Sequence, residues 1–241
     1  MADERAAEAG PILVPLSVYD SYRPIRELSH WLINFLIGIA VLSVVSFGSG
    51  LLQQRLLAQI QQGVQVPQEI VEANDNRQFV IGMMELGSIV TTGILFLTWM
   101  RRAYNNVPAF GMEGPAYSPG WAVWGFFVPF LNLVRPYQVM KELWRASDPG
   151  VRPGPGWVNA RVSPLVGWWW GMYLIMNFMA TIVMRVVLDG GTTAADLRLV
   201  TQLDALSSAL TIPAAVLAAG VVREIMVKQA QKRDITAPTH G

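Results

Sequence analysis

Apolar residues run along this chain in long unbroken stretches, not in the alternation of a half-buried strand or the single stripe of a soluble helix. Between Glu27 and Arg55, Arg77 and Arg101, Arg161 and Arg185, and Asp204 and Arg223, only His30 and Glu85 can carry charge near neutral pH. A helix of about 20 residues rises about 30 Å, the thickness of a bilayer's hydrocarbon core. The pattern predicts four spanning helices, at about 31–52, 79–100, 165–184 and 201–222. They sit in a membrane domain, 29–225, between an N-terminal segment, 1–28, and a tail, 226–241.

A fifth apolar stretch does not fit that template. Trp121–Val134, "WAVWGFFVPFLNLV", has 14 residues, about 21 Å as a helix and too short to span. Pro129 and Pro136 interrupt it and its exit, with Asn132 and Arg135 between them. Proline removes a backbone donor and frees a carbonyl one turn back, and such backbone survives at membrane depth only where something satisfies it. The basic residues argue the same way, because short loops rich in Lys and Arg stay cytoplasmic. If the stretch returns to the side it left, 14 of the 18 basic residues are cytoplasmic; if it spans, only seven are. The expected fold is therefore an all-α membrane protein with four transmembrane helices. A cytoplasmic-side re-entrant or interfacial helical segment, 121–145, joins them, with an amphipathic helix at Tyr137–Arg145. Both termini are expected inside.

Composition sharpens this reading. The 241 residues are 52% hydrophobic and 15% charged, with a mean hydropathy of +0.35, where a soluble domain carries about a quarter charged residues. The net charge is +1 and no basic patch appears, so no nucleic-acid partner is expected. Cysteine is absent, which excludes disulfides and thiolate chemistry. In the topology above, all nine tryptophans fall at or near the cytoplasmic interface, where an indole ring is buried and its N–H stays wet. That one-sided belt is either simple anchoring of helix ends or a functional surface.

The centre of the chain also carries a recognisable pattern. Trp99, Arg102, Ala103, Tyr104 and Asn106 spell W-x-x-R-A-Y-x-N; Ser118, Pro119 and Trp121 open S-P-x-W-A-V. Pro129 and Asn132 lie in P-x-x-N-L, and Pro136, Glu142 and Trp144 in P-x-x-V-x-x-E-L-W. Over about Tyr22 to Arg223 this resembles a bacterial integral-membrane family, domain of unknown function 4328. Phe126 departs from it, standing where members often have a second tryptophan. The resemblance implies the cytoplasmic (inner) membrane of a bacterium and implies no activity.

Individual polar residues remain. Glu85 is the only carboxylate well inside an apolar run, and such residues are functional hypotheses by default. Its structural reading is a pair with Arg185, or a neighbour of Asp204 at the same outer depth. Arg101 and Arg102 are expected to snorkel to headgroups, or Arg102 to pair with Glu142. Arg135 suits a lipid phosphate or a helix end, and Asn132 is expected to bond backbone freed by the prolines. His30 and the tail's His240 are the only histidines, so no metal or cofactor is expected. Small residues in Ser46–Gly50 and Ala214–Gly220 allow close helix approach, within the chain or in a homo-oligomer. No phosphate loop or Ser/His/Asp set appears, and no enzyme is expected. The leading expectation is an accessory or scaffold subunit meeting a protein partner through its Trp-rich cytoplasmic face. The alternatives are a small oligomeric channel or transporter with the Pro129–Pro136 segment lining the pathway, and a lipid-binding protein.

Overall fold

The structure, a computed structural model, describes residues 21–188 and 194–236. Arg5, Gly191 and His240 lie outside them, with most of the N-terminal segment and the end of the tail. Among the described residues the regular elements are helical: α1 (Arg26–Gln61), α2 (Gln68–Asn105), α3 (Trp121–Trp124), α4 (Arg135–Ser147), α5 (Pro164–Leu188) and α6 (Ala194–Thr236). Short 3-10 turns fall at Pro108–Phe110, Leu131–Leu133 and Pro155–Asn159. Four helices are long and apolar enough to cross a membrane, and they contain the four predicted runs. Of the most apolar 18 residues in each, between 11% and 28% are buried within the protein. The remaining apolar surface needs hydrocarbon around it.

The helices outrun the bilayer. At 36, 38 and 43 residues, α1, α2 and α6 are about 54–65 Å long. The α1–α2 connection is correspondingly short, since α1 runs on to Gln61 and α2 starts at Gln68.

The chain divides into two compact units. The first comprises residues up to His30, Phe96–Val166 and residues from Val222 onward. Its core is large and aromatic: Ile25, Trp99, Tyr104, Phe110, Met140, Leu143, Trp157 and Ile225 are almost wholly buried. The predicted amphipathic helix appears as α4, which buries Val139, Met140, Leu143 and Trp144 in this core. Proline at its second position, Pro136, is tolerated because the first-turn N–H groups have no helical acceptor.

The second unit comprises Trp31–Leu95 and Gly167–Val221. Small side chains fill its interior: Ser43, Ser46 and Ser49 on α1, and Ser208, Ala215 and Ala218 on α6, are all buried. Ser208 Oγ donates to Ser46 Oγ at 3.3 Å. Ser46, in the first small-residue stretch, thus meets α6 at Ser208, and Ala215 and Ala218 of the second are buried. Where α1 meets α2, Arg77 Nε donates to Ser49 Oγ (2.9 Å) and its Nη2 to Asn74 Oδ1 (2.7 Å).

Candidate functional site

The pattern residues of the centre assemble one hydrogen-bonded knot inside the first unit. Trp99 is fully buried and its Nε1 donates to Ser29 Oγ at 2.9 Å. About two helical turns on, just past the end of α2, Asn106 uses its whole amide. Its Oδ1 accepts from the Arg23 N–H (2.9 Å), while Nδ2 donates to Arg23 O and Gln229 Oε1 (both 2.9 Å). Gln229, on α6, donates in turn to Ala103 O (2.9 Å) and Ser147 Oγ (3.2 Å). Two amides thereby join the N-terminal strand of chain, α2, α4 and α6.

Glu142 is buried on α4, and Arg102 is exposed; they form no pair. Tyr104 takes the place expected of Arg102, its Oη donating to Glu142 Oε2 at 2.5 Å, while the Ala116 N–H donates to Oε1 at 2.6 Å. Position 102 points away from the core that Ala103, Tyr104 and Asn106 enter, which leaves its long side chain to solvate. The Tyr117 carbonyl also lies 2.9 Å from Tyr104 Oη, so a single phenolic proton faces two acceptors.

A second set of contacts fastens the 148–151 loop to α6. Lys228 Nζ meets Asp148 Oδ2 at 2.6 Å, and Lys232 Nζ donates to Asp148 O (2.8 Å) and Val151 O (3.0 Å). Burial disfavours the Asp148 carboxylate. The Lys228 bond, the Gly150 N–H and the Lys228 and Lys232 charges outweigh that and hold its pKa below the usual carboxylate range. Trp144 is buried with Lys228 Nζ 5.1 Å from its ring centroid. Sequence reading passed over Gln229, Lys228 and Lys232. Val222, Ile225, Gln229 and Lys232 follow a three-four-three spacing, so the signal was an apolar face of α6 continuing into polar residues.

In the 121–134 stretch, α3 is only four residues long. Its two ends meet: the Arg135 guanidinium carbon lies 5.5 Å from the Trp121 ring centroid and 5.0 Å from that of Tyr117. Arg135 thus rests on two aromatic faces. Asn132 is half-buried, and its side chain makes none of the described hydrogen bonds; Val128 O is bonded instead by the Asn132 backbone N–H at 2.9 Å. The expected bond from its side chain to freed backbone is not among the described bonds; the N–H groups around the prolines are satisfied by short turns. The tryptophan belt divides likewise: Trp99, Trp144, Trp157, Trp169 and Trp170 are buried, while Trp31, Trp121, Trp124 and Trp168 are exposed.

Glu85 leads to a different kind of place. No ion pair links it to Arg185 among the described residues, and Arg185 is exposed on the last turn of α5. Glu85 is half-buried, hydrogen-bonded to Ser46 and close enough to Asp204 to feel its charge. Both carboxylates line a cavity of about 410 Å³ with Ser43, Ser88, Asn177 and Thr211. Three of these side chains donate back to their own helices: Ser43 Oγ to Ile39 O (2.9 Å), Asn177 Nδ2 to Tyr173 O (2.9 Å) and Thr211 Oγ1 to Ser207 O (2.8 Å). A hydroxyl that spends its proton on the backbone keeps its oxygen as an acceptor, and Asn177 keeps Oδ1 and one N–H. The lining is therefore rich in acceptors and carries two acids. On the same face of α2, one turn beyond Ser88, the buried Thr92 Oγ1 has no hydrogen-bond partner. Among the described residues no three His, Asp or Glu side chains gather as a metal site.

Comparison with known proteins gives one result. No curated protein and no solved structure matches the chain. A family profile described as a domain of unknown function, DUF4328, matches residues 62–227. That range holds the Tyr104–Glu142 bond, Asn106 and most of the cavity lining, and ends two residues short of Gln229; on this match the chain belongs to the DUF4328 family.

Proposed function

We propose that this protein binds a small cationic or protonatable solute within its membrane bundle and passes it across, without covalent chemistry. One observation carries the reading: Glu85 and Asp204 share an acceptor-lined cavity in helices apolar enough to span a membrane. Glu85 is half-buried and Asp204 exposed on helices that hydrocarbon would surround, where two like charges are costly unless a proton or a cation neutralises them. Intramembrane acids facing a cavity mark ion and proton pathways, and about 410 Å³ falls in the range of small-molecule sites. The channel or transporter alternative is thereby favoured, with its pathway moved from the Pro129–Pro136 segment to the second unit. The distribution of basic residues supports a bacterial cytoplasmic membrane with both termini inside.

The test is uptake of rubidium and of an organic ammonium dye into proteoliposomes. Uptake by the parent that is lost in Glu85→Gln and in Asp204→Asn, at unchanged unfolding temperature, supports the reading. Uptake equal in parent and variants refutes it. The accessory or scaffold reading takes second place, since five of the nine tryptophans are interior. Its support is the four exposed rings of Trp31, Trp121, Trp124 and Trp168, and a partner that co-purifies in mild detergent and is released by changing these residues would restore it.

A further inference from the structure

Residues 121–134 form an apolar hairpin with no charged side chain. Trp124, Phe127, Phe130, Leu133 and Val134 are all exposed, yet in soluble proteins large apolar side chains cluster at a surface only where something covers them. Phe130, 85% exposed, is the extreme case. It has φ 63° and ψ −39°, and the Leu131 N–H donates to Pro129 O at 2.8 Å. That is a γ-turn of the strained, positive-φ kind, which an aromatic residue rarely occupies. The turn places the ring at the apex, away from the protein.

Three observations identify what covers it. The first is backbone satisfaction: every N–H from Val123 to Val134 except that of Phe130 is bonded within residues 120–134. A segment whose N–H groups find their partners within itself meets the donor half of the condition for entering hydrocarbon. The second is depth. Phe126 sits edge-on to Phe96 with ring centroids 5.9 Å apart, and Phe96 lies four residues inside the end of the apolar run of α2, about one turn deep. The third is closure: Arg135 stacks over Trp121 and Tyr117, so the hairpin returns to the side it left, with a cation at its base.

We propose that this hairpin inserts into one leaflet of the bilayer, with Phe130 among the acyl chains and Arg135 at the level of the lipid phosphates. The occupant is lipid, not a partner helix. It is independent of any solute bound in the second unit.

Because the chain has no cysteine, Phe130→Cys and Phe127→Cys can each carry a single fluorescent label in proteoliposomes, with Gly150→Cys as an exposed control. The expected result is several-fold stronger quenching of the first two labels by lipids nitroxide-labelled on the acyl chain than by a water-soluble quencher, with the reverse at Gly150. Strong aqueous quenching at Phe130 and Phe127 overturns the proposal. Protection from both quenchers also overturns it, because protein then covers the apex. Both variants must first match the parent in size-exclusion profile, and agreement between them guards against a local artefact at the apex.

Discussion

The two units are stabilised in opposite ways. In the first, buried polar groups are matched nearly one to one: Asn106, Gln229, Glu142 and Lys232 each make two or more hydrogen bonds among large buried rings. In the second, small serines and alanines let helices approach, and the polar groups of the cavity bond mainly back to their own helices. A fully satisfied buried network rigidifies and specifies one arrangement. A cavity whose acceptors are left open is what a binding site requires. The comparison teaches that the residues most distinctive in sequence build the rigid unit, while the residues placed for ligand chemistry are inconspicuous ones.

The sharpest way to break that comparison is to remove a matched group from the first unit. Asn106→Leu strips partners from the Arg23 N–H, Arg23 O and Gln229 Oε1, and each orphaned buried group costs about 1–3 kcal/mol. We expect a loss of about 3 kcal/mol or more, seen as a large fall in unfolding temperature in detergent. Asn177→Leu in the cavity should change it little; equal effects would erase the distinction. Tyr104→Phe comes next. It takes one bond from a buried carboxylate, where hydrogen bonds to charged groups contribute about 1.5–3 kcal/mol.

Acid gives a smaller effect. The Asp148 carboxyl has a pKa lowered by the folded state, so its contribution is present above the unfolded value, near 4, and disappears as pH falls through the folded value. Because Asp148 is partly exposed and solvent screens its pair, the contribution is at most about 1 kcal/mol. Asp148→Asn should lower stability at pH 7 by up to about 1 kcal/mol, and the difference from the parent should vanish below about pH 4; a difference that persists in acid would assign it elsewhere. Asn132→Leu should do least, within about 0.5 kcal/mol, because its side chain makes none of the described bonds. A substantial loss of stability there would restore the buried anchor expected from sequence.

Much of the fold was legible because lipid imposes a crude rule. Uninterrupted apolar runs of the right length marked all four long helices, and Pro129 with Pro136 marked the break between α3 and α4. Partners were harder to read. Arg102 looked like the mate of Glu142 by charge, but Tyr104, two positions on, faces the core and reaches it first. Glu85 looked like the mate of Arg185 by depth along the sequence, yet depth says nothing of which helix faces which. Asp204, at the same outer depth, was correctly placed as its neighbour. The cavity itself was invisible, since Ser43, Asn177 and Thr211 come from three helices and read singly as ordinary polar residues in apolar runs.

The central claim is that the second unit holds a cation between its two acids. Calorimetric titration of the protein in lipid nanodiscs with tetramethylammonium and with rubidium tests it most directly, using the parent and the Glu85→Gln, Asp204→Asn double variant. The account predicts saturable binding of at least one of them by the parent. The double variant should lose that binding while unfolding at the same or a higher temperature, because two uncompensated acids have been removed from a low-dielectric site. No binding by the parent, or binding that survives in the double variant, would contradict it.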